Sequence, residues 1–367
     1  MNECDLAIVG GGMVGSALGY GLARAGAEVV MLDQGDRDLR AARGNFGLLW
    51  VQGKGADCPA YAHWTLLSTR LWPSFAEELK QLTGIDVQYQ RRGGIHYCLD
   101  DRELSDYADE LARQAAVSDG AFQYQMLDAR ELQAFEPNLA PDLPGGGYSP
   151  NDGHVNPLFL LRALQAGFVT HGGSYRPRHS VQSIERLADG FLLQTEQGEL
   201  RAGKVILAAG LDNQRLAPML GLQQPLHPQR GQLLITERLP PLLKYPSIYL
   251  RQTGEGTIQI GDSAENSGLD DSNTVTVMAE LAARAIRLLP ALRQRRIVRG
   301  WGALRVLSPD GYPLYDRSAE AGPQAFAFSC HSGVTLAAAH ALQLAPMLLQ
   351  GELDSSLSAF CPRRFQD

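Results

Sequence analysis

Asp5-Leu6-Ala7-Ile8-Val9-Gly10-Gly11-Gly12-Met13-Val14-Gly15 is an apolar run passing directly into a G-x-G-x-x-G turn, and its reading decides the fold. Leu6 to Val9 suit a strand buried on both faces. Gly10 permits the tight turn, Gly12 lets backbone N–H groups approach a pyrophosphate, and Gly15 lets the next helix pack closely on the sheet. Val14, Leu18 and Leu22 recur at i, i+4 and i+8 as a sheet-facing stripe, and Gly26 supplies a left-handed stop. A second strand, Glu28 to Leu32, ends in Asp33, 18 positions beyond Gly15 (33 − 15), where a carboxylate can hold both hydroxyls of an adenosine ribose. Strand, turn, helix, strand and terminal acid together point to a dinucleotide and leave open which one.

The rest of the chain favours flavin over nicotinamide. Where a contiguous nicotinamide-binding fold would place its next strand, the sequence has Arg43-Gly44-Asn45-Phe46-Gly47-Leu48-Leu49-Trp50, a glycine-bearing polar segment that reads as a cofactor-lining loop. A long excursion precedes the return to a buried strand, Lys204-Val205-Ile206-Leu207-Ala208-Ala209-Gly210, whose small terminal residues permit close approach of backbone to cofactor. Ahead of it, Phe191 to Thr195 and Glu199 to Ala202 flank a Gln197-Gly198 hairpin turn. Val181 sits in a preceding strand where its backbone could meet an adenine edge, although core packing is the preferred reading of that residue taken alone. Near the C-terminus, Phe326 to Ser329 is a strand leading into Cys330-His331-Ser332-Gly333, and Val334 to Leu349 has helical spacing. Free N–H groups at Gly333, Val334 and Thr335, with the positive helix end, are what the N1/C2=O edge of a reduced isoalloxazine needs.

Composition excludes several alternatives. A formal charge of −7, from 33 basic and 40 acidic residues, offers no Lys/Arg run able to track a phosphate backbone, so nucleic acid is not expected as a partner. The cluster Arg293, Arg295, Arg296 and Arg299 reads as a solvated surface. No apolar stretch reaches the roughly 20 residues of a bilayer crossing, and the chain starts without a signal core, so a cytoplasmic protein is expected. Five cysteines without C-x-x-C spacing suggest reduced thiols and no metal centre.

With these residues in view, the chain resembles the glycine oxidase/D-amino-acid oxidase-like FAD-dependent oxidoreductases along essentially its whole length. The matching blocks are Ile8 to Gly15, Asp33, Val205 to Gly210, Gln229-Arg230-Gly231-Gln232, Gly302-Ala303-Leu304-Arg305 with Ser308 to Pro313, and His331 to Leu336. Within that family, Gly44 to Gly55 and Cys330 to Leu336 look closest to the β subunits of D-hydroxyproline dehydrogenase, opine dehydrogenase (oxidase) and hydrogen cyanide synthase. The resemblance implies an α/β fold, α+β overall: a Rossmann-like FAD domain from residues 1–84, 145–220 and 300–367, enclosing a discontinuous antiparallel-sheet substrate domain from 85–144 and 221–299. Non-covalent FAD is expected, because the cysteine that anchors flavin in sarcosine-oxidase relatives has no counterpart here. An FMN or iron–sulfur centre, if one takes part, would be supplied at or by a partner subunit.

The resemblance carries Arg305 over as the substrate-carboxylate clamp and Tyr249 as a second carboxylate contact on a substrate-domain strand. His331 joins them as a group beside the flavin that could tune it or help deprotonate the substrate amine. The cofactor contacts expected are Gly10, Gly12, Met13, Val14, Gly15, Asp33, Gln34, Arg43, Gly44, Asn45, Phe46, Gly47, Leu48, Val181, Ala209, Gly210, Arg305, His331, Ser332, Gly333, Val334, Thr335 and Leu336. A planar guanidinium grips a carboxylate through two parallel hydrogen bonds, which lysine does less well. The competing reading of Arg305 is an ion pair at a surface or between domains. His96, Trp50 and Trp301 divide between core filling and pocket wall.

The activity expected is hydride removal from the amine-bearing carbon of a D-imino or N-substituted amino acid, such as D-hydroxyproline or an opine, with electrons passed to a redox partner subunit. The alternatives are a self-standing oxidase that reduces oxygen to peroxide, a flavin-binding structural subunit, and, more distantly, a nicotinamide-linked dehydrogenase.

Overall fold

The computed structural model describes residues 3–35 and 41–366. The mainly parallel sheet expected from the N-terminal motif has eight strands among these residues. Its main path runs Leu314–Arg317, Ala325–Ser329, Gly198–Leu207, Glu3–Val9, Val29–Asp33 and Ser174–Pro177. Glu3–Val9 lies parallel between Gly198–Leu207 and Val29–Asp33, with Val9 opposite both Leu207 and Leu32. The hairpin Val181–Leu187 and Gly190–Thr195 extends the long strand on its antiparallel side.

Both faces of this sheet are covered, which is why its central strands read as continuous apolar runs. On one face Leu6, Ile8 and Met31 pack with Leu18 and Leu22 of the helix Met13–Arg24 and with the C-terminal Leu344, Leu348 and Phe360. On the other, Ala7, Val9 and Val30 meet Val181, Phe191 and Leu216.

A second, four-stranded antiparallel sheet runs Leu250–Gln252, Thr257–Ile260, His227–Arg238 and Ile297–Leu307. With the three-stranded sheet Gly94–Cys98, Gly145–Ser149 and Gln125–Asp128 and the helix Val275–Leu288, it shares one apolar cluster containing Tyr97, Leu127, Leu234, Ile258 and Leu281. The helix Pro59–Thr83 packs on the other side of the cofactor loop, through Trp72, Phe75 and Leu79.

The C-terminal helix departs from expectation. Regular helix starts at Ala337, not Val334, and passes through a π turn at His340–Leu344. The cause is tertiary: the carbonyl of Thr335 accepts from Ser68 Oγ at 2.6 Å and Trp72 Nε1 at 3.0 Å. The N–H of Ala339, its helical partner, donates to Ser68 Oγ at 3.2 Å instead.

Candidate functional site

A cleft of about 560 Å³ crosses the carboxyl ends of the parallel strands, where open α/β sheets place their ligands. Val9, Leu32, Asp33, Ala208, Phe328 and Ser329 bring those strand ends to its wall. Each glycine of the turn has its own reason. A Cβ on Gly15 would stand 1.9 Å from the carbonyl oxygen of Gly10, so helix and turn can approach only there. Gly10 holds φ +108°, and its Cβ would meet the carbonyl of Ala208. At Gly12 nothing lies within 4 Å, so a side chain would project into open cleft.

First-turn N–H groups of a helix have no intrahelical acceptor, and Gly12, Met13 and Val14 bring those of Met13–Arg24 to the cleft wall. The carboxylate of Asp33 accepts from Gly11 N at 2.7 Å and Gly35 N at 2.8 Å, which ties the acid to the turn it serves. Arg215 hydrogen-bonds the carbonyls of Val181 and Gln182, both at 2.8 Å, and so fixes the strand start that lines the far end.

A second cavity of about 260 Å³ shares Ala41, Asn45, Val306, Cys330 and His331 with the first. Its walls are the cofactor loop (Gly44, Phe46, Leu48, Trp50, Lys54), the C-terminal turn (Ser332, Val334, Thr335) and the second sheet (Gly231, Leu233, Ala303, Arg305). The N- and C-terminal stretches therefore converge, and a Cβ on Gly333 would lie 3.4 Å from the side chain of Met13. Among the described residues, the N–H groups of Gly333, Val334 and Thr335 donate to no acceptor, whereas Leu336 N reaches Ser332 O at 2.9 Å. The three free donors expected from the sequence are present, although the helix proper starts later.

Arg305 projects from the strand Ile297–Leu307, opposite Gln229 in register. Its Nη1 lies 3.3 Å from Gln229 Oε1 and 3.4 Å from the carbonyl oxygen of Arg230, and its Nη2 pairs with the carboxylate of Asp262. The guanidinium side chain is 18% exposed and that of Asp262 47%. Arg305 is thus both a cavity wall and an ion-pair member, with a carboxylate from its own chain where an acid ligand would bind.

Desolvation inside the cleft disfavours charge on the neighbouring groups. The imidazole of His331 is pushed down to about 3 by desolvation, reinforced by the cations Lys54 and Arg305, so it is neutral at ordinary pH. The Cys330 thiol is pushed up to about 12 by burial, which removes it as a nucleophile.

The model for the FAD-dependent oxidoreductases of the DAO family matches residues 5–347. The chain belongs to that family. This flavin-family oxidoreductase is 44% identical over 366 residues to an opine oxidase subunit of Agrobacterium tumefaciens, covering 100% of this chain and 98% of the relative. It is 28% identical to hydrogen cyanide synthase subunit HcnC of Pseudomonas aeruginosa, covering 99% of this chain and 96% of that one. The crystal structure of glycine oxidase from Geobacillus kaustophilus superimposes with a TM-score of 0.89 at 27% identity, covering 98% of both chains.

The cleft fits FAD on its own terms: a side-chain-free position at the helix start, an acid at the end of the second strand and, toward the second cavity, three unspent amides. Most residues expected at the cofactor line one cavity or the other, including Gln34, Val181, Ala209 and Gly210. Leu336 is fully buried in the core beneath it. Gly15 acts through packing, and Gly47 (φ +85°) is held behind the loop against the carbonyl of Val155.

One reading changes. Tyr249 precedes the strand Leu250–Gln252 and lines neither cavity; Ile248 does. Its ring packs 5.5 Å from that of His96 and 4.8 Å from the Arg284 guanidinium, in the apolar layer behind the site. His96 stacks on Tyr107 at 3.9 Å, in keeping with the structural role preferred for it. Conversely, Lys54 and Asp262 reach the cavity without having been singled out by sequence. A signal for Lys54 existed: it is the only Lys or Arg between Arg43 and Arg70, set between two glycines of the cofactor loop.

Proposed function

We propose that the chain oxidises the amine-bearing carbon of an N-substituted α-amino acid or D-imino acid, an opine or a D-hydroxyproline, and passes the electrons to a partner subunit. The observation that carries this is Arg305 on the wall shared with Phe46, Leu48, Ser332 and Thr335: a guanidinium fork facing the place the cofactor's ring would take. FAD, when bound, supplies the acceptor for the two electrons.

The protein's own residues do the rest. Arg305 exchanges the Asp262 carboxylate for that of the substrate and fixes the α-carbon, while Phe46, Trp50 and Leu233 exclude water. His331, held neutral by the protein crowding it in the cavity and by the cations Lys54 and Arg305, serves as a hydrogen-bonding group more readily than as a base. Desolvation between Phe46, Trp50 and Leu233 favours the uncharged form of the substrate amine, which gives its proton to solvent on entering, so no side-chain base is required. In this reading residues 1–84, 145–220 and 300–367 make up the cofactor part and 85–144 with 221–299 the substrate part, except that Gly145–Ser149 and the whole of Ile297–Leu307 pair within the substrate-side sheets. The strand Ile297–Leu307, paired within the substrate-side sheet, delivers Arg305 between them.

The named relatives that are subunits of larger enzymes support a partner as the electron outlet, together with any FMN or iron–sulfur centre it holds. The test is anaerobic mixing of purified holoprotein with a panel of N-carboxyalkyl amino acids, D-hydroxyproline, sarcosine and glycine. Bleaching of the flavin by at least one N-substituted member, with slow reoxidation in air until the partner subunits are added, is the expected result. No bleaching across the panel rejects the reading; fast peroxide formation by the isolated chain replaces the partner with oxygen.

A further inference from the structure

Two cations line the 260 Å³ cavity and one carboxylate answers them. Arg305 is paired with Asp262. Lys54 also lines the wall, and among the described residues its ammonium has neither a hydrogen-bond nor an ion-pair partner. The nearby acids are committed elsewhere or held apart. Asp152 accepts from Val51 N at 2.5 Å and Gln52 Nε2 at 2.6 Å. Glu110 lies across the backbone of Gly53, where a Cβ would be 2.7 Å from its Oε1. Burial lowers the proton affinity of Lys54, as a cation without a counter-ion requires.

An enclosed ammonium with no resident partner is costly unless a ligand brings the missing anion. We infer that Lys54 is a subsite for a second substrate carboxylate: Arg305 holds the acid beside the carbon being oxidised, and Lys54 holds an acid on the other substituent of the nitrogen. The inference rests on the proposed amine oxidation and narrows its substrate to amines flanked by two carboxylates. Charge supports it. Asp262, half exposed, can turn to water, and a dicarboxylate then neutralises both cations, whereas a monocarboxylate leaves one unanswered.

The test uses holoprotein and two ligands that cannot be oxidised at nitrogen: diglycolate, with an ether oxygen between two carboxymethyl groups, and methoxyacetate, with one carboxylate. Each is titrated against the visible spectrum of bound FAD, and the readout is the ratio of the two dissociation constants. Wild-type protein is expected to prefer diglycolate on the order of tenfold to a hundredfold, the range of a charge-assisted contact. Lys54→Met should collapse that ratio to about one, and Lys54→Arg should restore most of it. Retained yellow colour in both variants shows that fold and cofactor survive.

A ratio unchanged by Lys54→Met overturns the inference, as does equal weakening of both ligands, which would make Lys54 a general contributor to the cavity's potential. Failure of the proposed amine oxidation reads differently: no amino acid would bleach the flavin, whatever the ratio.

Discussion

Replacing Arg305 by methionine keeps the apolar stem of the side chain and removes its guanidinium fork. In the wild-type protein the guanidinium is held by Gln229 and the carbonyl of Arg230 and is 18% exposed, so a substrate carboxylate there would be largely shielded from water. Breaking a buried charged pair by removing one partner costs about 2–5 kcal/mol. Two features place this case in the lower half of that range. Lys54 still contributes positive charge to the cavity, and Asp262, at 47% exposure, loses its partner at little cost because water can solvate it. A loss of about 2–3.5 kcal/mol corresponds to a drop in kcat/KM of roughly thirtyfold to several hundredfold. The assay is anaerobic stopped-flow reduction of bound FAD over a range of substrate concentrations. Arg305→Lys should recover about tenfold, keeping charge without bidentate geometry. A yellow Arg305→Met protein reduced within threefold of the wild-type kcat/KM would show that the carboxylate is held elsewhere.

Gly12→Val, at a position where an added Cβ finds open space, should give a folded but colourless protein, seen as normal far-ultraviolet circular dichroism with no bound flavin after gel filtration. Gly15→Ala, its Cβ forced to 1.9 Å from the carbonyl of Gly10, should instead lose about 1–3 kcal/mol of stability in urea titration as well as cofactor. Ser68→Ala strips one donor from Thr335 O and leaves the buried N–H of Ala339 unpartnered, for a loss of about 1–3 kcal/mol in the same assay. His340 is fully buried, with Nε2 bonded to the Tyr315 hydroxyl at 2.6 Å, and burial pushes it down to about 3. Because the folded state resists protonation while the unfolded state takes a proton below about 6.5, stability is full above that pH and lost as pH falls toward 3. His340→Gln should therefore shrink the fall in stability between pH 6.5 and 5 by about 2 kcal/mol (1.5 pH units at ~1.36 kcal/mol each). An unchanged pH slope would count against this.

What could be read from residues alone was whatever local geometry compels. Gly10, Gly12 and Gly15 have no substitute at their spacing, and Asp33 closes the second strand because an acid is needed at that end. The return strand ending in Ala208-Ala209 and the amides at 333–335 were legible for a local reason too: small residues and a glycine turn leave bare backbone at the cleft wall. The start of the C-terminal helix was not, since Ser68 and Trp72, more than 260 positions away, take the carbonyl the helix would have used. Tyr249 was misplaced because its neighbour Ile248 faces the cavity, and one position in a strand-edge bend reverses inside and outside. Asp262 could not be found, because only the folding of its loop onto the strand Ile297–Leu307 brings it to Arg305.

Where the cofactor loop crosses that strand, Gly44 rests against the methyl of Ala303, and a Cβ on Gly44 would come within 2.1 Å of it. Ala303 is two residues from Arg305 on the same strand, so this bare contact works as a spacer between ring and grip. A side-chain atom added at Gly44 would press on the strand that carries Arg305 and, in the proposed reading, alter where that guanidinium holds an acid. The separation of loop and strand is thus set by a single missing methyl group.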